Sequence, residues 1–120
     1  MAEHNETGIK GEKVAEEYLK NKGYSILETN WRFGNLEADI IAMNDHTIIV
    51  AEVKTRSTNF FGEPETFVTK QKQKKLIKAA NNYIVRYKLD LEVRFDIISV
   101  IINSSGTKVN HIEAAFYPLV

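Results

Sequence analysis

The chain has 120 residues, 43% of them hydrophobic and none a cysteine, which suits one compact core and excludes a disulfide framework, a thiolate zinc site and a cysteine nucleophile. Sixteen basic and sixteen acidic residues give a formal net charge of zero, so bulk charge alone does not draw the molecule to a polyanion. The polar start MAEHNETGIK has no apolar signal core and no later run approaches the roughly 18 apolar residues that span a bilayer, so one soluble cytoplasmic domain over residues 1–120, without a membrane partner, is expected.

The first element in chain order is an amphipathic helix over residues 8–22, with Val14, Ala15, Tyr18 and Leu19 on one stripe, Asn5 or Thr7 as N-cap and Gly23 as its stop. Tyr24 to Arg32 reads as a strand. Glu37 to Met43 and Thr47 to Lys54 are two β-rich runs around the turn formers Asn44, Asp45 and His46, so they pair as an antiparallel hairpin. Ser57 to Pro64 has the glycine and proline of a loop, with Phe60 and Phe61 clamping it to the body. A second helix begins near Thr69, and its apolar positions Leu76, Ile77, Ala80, Tyr83, Ile84 and Tyr87 make one buried face. Residues 70–88 carry seven basic side chains and no acid, which is either a solvated face or a local phosphate-binding surface. Val93 to Ile102 is a long strand, Asn103 to Gly106 a turn, and Lys108 to Glu113 a weaker strand. The order αβββαββ, with strands apolar on both faces, predicts an α/β fold in which helices flank a mixed sheet.

Polar residues on strands that should be buried carry the chemical information. A turn centred on Asp45 places Asp39 opposite either Ala51 or Glu52. The second register puts Asp39, Ile41, Met43, Ile48, Val50, Glu52 and Lys54 on one face, with two carboxylates side by side. Like charges at that spacing repel, so either one pKa rises or a cation intervenes. All-oxygen ligation by Asp39 and Glu52 suits Mg²⁺ or Mn²⁺ better than zinc. An Asp, a Glu and a Lys around one metal are the set that phosphodiester hydrolysis uses. An edge-strand ion pair between Glu52 and Lys54, with Asp39 as a turn acid, is the plainer reading of the same residues.

Asp39, twelve residues, then Glu52-Val53-Lys54 resembles the PD-(D/E)XK nuclease signature, and the element order is similar to the restriction-endonuclease-like core. The blocks GIKGEKVAEEYL, NWR, EADIIA, VAEVKTR, FGEP, RFDIISV and HIEAAF, from about Gly8 to Phe116, resemble the uncharacterised bacterial YraN-like family, which is grouped with Holliday-junction-resolvase-like proteins. The chain departs from that family's usual GlyGluIleAsp at Leu36 and Ala38, which leaves the acids in place. The resemblance implies a Mg²⁺- or Mn²⁺-dependent endonuclease acting on DNA rather than RNA, with Asp39 and Glu52 on the metal, Lys54 at the attacking water and Glu12 as the helix-one acid. On the helical wheel Glu12 borders the apolar stripe, and Glu16 and Glu17 point away.

The second helix supplies substrate candidates. Lys70 and Lys72 edge its stripe so that their heads approach the catalytic rim, Gln73 lies within it, and Lys74, Lys75 and Lys78 cluster on the other face. Lys72 is the leading phosphate ligand, and Arg56 either contacts the scissile strand or pairs with Glu63 or Glu65. Asp96 is expected to pair with Arg94, Trp31 to pack rather than stack on bases, and His4, His46 and His111 to hold no metal. A homodimer would suit a four-way junction. The reading from another class is a non-catalytic nucleic-acid-binding or scaffolding module that retains the fold.

Overall fold

A computed structural model describes residues 6–57 and 68–118. Helix α1 (Glu6–Asn21) is followed by strands β1 (Ser25–Phe33), β2 (Leu36–Asn44) and β3 (Thr47–Arg56), helix α2 (Lys70–Arg86), and strands β4 (Glu92–Asn103) and β5 (Gly106–Phe116). The five strands form one sheet in the order β1-β2-β3-β4-β5. Neighbours run antiparallel except β3 and β4, whose parallel pairing follows from the α2 crossover between them. This is the expected α/β architecture, helix, three strands, helix, two strands.

Each helix covers one face of the sheet. Ala15 and Leu19 of α1 pack with Ile40, Ala42, Ile49, Ala51, Val53, Ile98 and Val100. Leu76, Ala79, Ala80 and Tyr83 of α2 pack with Ile41, Ile48, Val50, Phe95 and Ile97 on the other face. Both faces of the central strands are therefore apolar, which explains their runs of Ile, Val and Ala. Trp31 packs, as expected, edge-on to the Tyr83 ring at 5.3 Å.

Several boundaries differ from expectation. Helix α1 starts two residues early, so Thr7 lies inside it rather than capping it, and Asn5 is outside the described residues. Its end is as read: Gly23 has φ of 94°, and the Tyr24 amide donates back to the Leu19 carbonyl at 3.0 Å. Thr69 caps α2 by accepting the Lys72 amide at 3.1 Å. The loop carrying Phe60, Phe61, Glu63 and Pro64 lies outside the described residues. Strand β5 is longer than its weak pattern suggested, because a bulge at Ala114 (φ 51°) lets pairing resume and brings Phe116 onto Phe95.

Candidate active site

The β2–β3 hairpin has the register that opposes residues 39 and 52, with pairs from Asn44–Thr47 to Ile40–Ala51. Beyond Ile40–Ala51 the ladder ends. The Val53 amide donates to the Asp39 carboxylate (Oδ2, 2.9 Å) instead of to a backbone carbonyl. The Asp39 carboxyl thus sits in the fork where the strands part. Strict alternation places it on one face with Ile41 and Glu52, and a local change of phase corrects that expectation. Ala38 packs in the α2-side core and Ile40 in the α1-side core, although strict alternation would put both on one face. On β1, Asn30 has φ of 51° between the pairs Thr29–Ile40 and Trp31–Ala38, so both strands change phase together and Asp39 turns toward the fork.

Glu52 keeps its predicted place with Ile48 and Val50, on the side facing α2, and is 4% exposed. Its Oε2 lies 3.6 Å from the Lys54 Nζ and 3.5 Å from the Lys72 Nζ. Its Oε1 is buried and receives no hydrogen bond from any described residue. Burial first, and then the Asp39 charge, push the Glu52 carboxyl up to about 7 against the pull of both lysines. Burial also raises Asp39, with the Val53 amide and Lys72 opposing it, and the two acids perturb each other. A half-buried Asp39 and a buried Glu52 bearing a bare oxygen fit a hard cation that takes few protein ligands and keeps its waters. Among the described residues no three His, Asp or Glu side chains form a metal-ligating cluster, so Asp39 and Glu52 alone would hold it.

A cleft of about 390 Å³ opens on the α1 side of the fork, lined by Asp39, Glu12, Lys13, Glu16, Thr29 and Asn30 among others. Helix α1 approaches the end of β3 so closely that a Cβ at Gly11 would collide with the Thr55 side chain, which brings the next residue, Glu12, to the Asp39 cleft. Glu16 was expected to point away. Instead it lines the cleft and pairs with Lys20 at 3.1 Å, since the cleft wraps further round the helix than the apolar stripe indicates. Lys13, Thr29 and Asn30 were not anticipated, and only the tolerance of Asn for positive φ hints at Asn30.

The lysines of α2 divide between two places. Lys72 reaches Glu52, whereas Lys70, expected near the catalytic rim, lines a groove on the other side of the helix with Gln73, Lys74 and Lys78. The reason is angular, since residues 70 and 72 are about 200° apart around a helix. Gln73 donates to the Val68 carbonyl at 3.2 Å, Lys75 is exposed, and Arg56 is half-buried at the end of β3.

Asp96 does pair with Arg94, but within a larger buried network. It accepts two hydrogen bonds from Arg94 (2.9 and 2.8 Å) and one from the Ala114 amide (3.0 Å), and the His111 Nε2 lies at 2.7 Å. The His111 side chain, 3% exposed, also meets the Lys22 Nζ (3.3 Å) and the Tyr18 ring. Its burial was not legible from spacing.

No described helix is long and apolar enough to cross a membrane. The profile of the family described as uncharacterised protein family UPF0102 matches residues 11–100. A UPF0102 protein of Christiangramia forsetii is 55% identical over 117 residues, covering 98% of each chain. Those of Flavobacterium psychrophilum and Bacteroides thetaiotaomicron are 50% and 45% identical, again over 98% of both chains. With the family's profile over most of the chain and relatives matched over 98% of it, the chain belongs to the UPF0102 family.

Proposed function

We propose that the chain is a metal-dependent phosphodiesterase of the restriction-endonuclease-like kind, acting on DNA. The observation that carries this reading is the bare, buried Oε1 of Glu52 beside Asp39, with two ammonium groups 3.5–3.6 Å from the other oxygen. A group so poorly satisfied costs stability, and such costs concentrate where a ligand or a reaction repays them. Mg²⁺ or Mn²⁺ held by Asp39 and Glu52 would neutralise charge on the phosphoryl group and acidify water.

The protein's own groups have separable roles. The Val53 amide fixes the Asp39 carboxylate, so this ligand is oriented before substrate arrives. Lys54 orients the attacking water and supports negative charge gathering on phosphorus. Lys72 at the N-terminal turn of α2 holds a phosphate oxygen, and Glu12 across the cleft holds outer water. Overall, a water molecule gives its hydroxide to phosphorus as the bond to one bridging oxygen breaks, and that oxygen leaves with the proton the water has given up.

The test is a panel of labelled duplex, flapped, four-way and single-stranded DNAs, with an RNA counterpart, incubated with protein and Mn²⁺. Cleavage by the wild type, lost by at least about 100-fold in Glu52→Gln and Lys54→Ala with circular dichroism unchanged, is expected. Equal cleavage by wild type and both variants overturns the reading. A second reading, a non-catalytic nucleic-acid-binding or scaffolding module, is favoured by one observation: Lys54 and Lys72 already offset the charge of Glu52. Titration calorimetry separates the two, because that module releases no Mn²⁺-binding heat that Asp39→Asn abolishes.

A further inference from the structure

We propose that the groove between α2 and Tyr117 seats an unstacked base of a single-stranded nucleic acid, with Lys70, Lys74 and Lys78 on its phosphates. The groove encloses about 250 Å³, and Ile77, Tyr117, Gln73 and the three lysines line it. Residues 70, 74 and 78 are four apart and so form one ridge along the helix. None of the three makes an ion pair with a described residue, and no described acid lines the groove.

Tyr117 is the second half of the argument. It is 70% exposed just past β5 and stacks on no described ring. An aromatic ring beside a row of ammonium groups that pair with no described acid answers a ligand that is both polyanionic and flat. Single-stranded nucleic acid meets both demands, since every base has a face to stack and every linkage a charge to neutralise. A duplex meets only the second, because its bases are already stacked on one another.

The groove and the acids flank the same turn of α2. Lys72 touches Glu52 while its neighbour Gln73 lines the groove, so the two sites lie about one helix diameter, roughly 10 Å, apart. A strand held by Tyr117 can therefore cross that turn to reach the acids. The inference rests on the hydrolytic reading only for where the strand continues, and it narrows the substrate class to flaps, gaps and single strands.

Binding is read by fluorescence anisotropy on the full chain carrying Glu52→Gln, in EDTA, so that cutting is absent. The probes are a labelled single-stranded oligodeoxynucleotide, its RNA counterpart, the matching duplex and an acidic peptide of similar charge. Tyr117→Ala is expected to weaken single-strand binding about tenfold and to leave the duplex nearly unmoved, with Tyr117→Phe within about twofold of the parent. Lys74→Ala and Lys78→Ala should each lower the salt slope by about 0.7 on single strands. Unchanged single-strand affinity in Tyr117→Ala, equal losses on single strand and duplex, or stronger binding of the acidic peptide overturns the inference. Tyr117-dependent binding by a wild type that cuts nothing sinks the hydrolytic reading alone, and cutting with Tyr117-independent binding sinks the groove alone.

Discussion

Two buried acids in this protein are treated in opposite ways. Burial by itself would raise Asp96, but His111, Arg94 and the Ala114 amide outweigh it and hold its carboxyl below the ordinary value. Its contribution to stability is therefore present above the unfolded pKa and lost as pH falls through the folded one. Asp96→Asn keeps the shape but strips the charge from under Arg94 and His111, and is expected to cost about 3 kcal/mol in urea unfolding at neutral pH, a difference that shrinks in acid. Glu52 is left with a bare oxygen, and burial raises its pKa to about 7 from an ordinary 4.5. The sign is then reversed: its contribution is full below about 4.5 and lost as pH rises through about 7. In EDTA, the melting temperature of wild type relative to Glu52→Gln should fall across that window, and Mn²⁺ should restore it. A flat difference would mean that Glu52 is ionised and satisfied without a cation. A network that is complete and one that is not thus lie on the same sheet, and only the second asks for a ligand.

At the scale of elements, the site depends on β2 leaving β3. The positive φ of Asn30 and the phase change on β2 aim Asp39 into the fork, and the seating of α1 on the end of β3 closes the cleft around it. Gly11 sets that seating. Because Thr55 is β-branched and stands on a paired strand, it cannot move aside freely, so Gly11→Ala pushes the helix outward. Gly11→Ala is expected to destabilise the fold by about 1–3 kcal/mol, and adding Thr55→Ser or Thr55→Ala should recover part of this in a double-mutant cycle. Additive losses would show that the two residues do not press on each other.

Across the whole molecule, zero net charge hides a separation of sign. The N-terminal half of α2 presents lysines toward Glu52 on one side and along the Tyr117 groove on the other. With a Debye length of about 8–10 Å at physiological salt, a strand at that helix feels its lysines far more than the acids of distant segments. Duplex DNA should bind weakly and with a steep salt dependence, and Lys72→Ala is expected to reduce the slope of log K against log salt by about one. A salt-independent affinity would rule out phosphate contact by this helix.

Local rules reach far in this chain. A period-3.6 pattern marks both helices, and β-rich runs between turn formers mark the strands, the central ones apolar on both faces because a helix covers each side of the sheet. The two-residue turn at Asp45 and His46 makes the hairpin register readable, and with it the approach of positions 39 and 52. Other features depend on partners distant in sequence. Asp39 leaves its expected face because β1 changes phase beside it, Asp96 and His111 meet across a bulge, and Lys70 joins Tyr117 from 47 positions away. The amino-acid order by itself determined the αβββαββ succession, the hairpin and the candidate acids. Only the tertiary structure decided which of those acids would be left with a bare oxygen, since hydrogen-bond satisfaction is settled by every element that packs around a group, not by its neighbours along the chain.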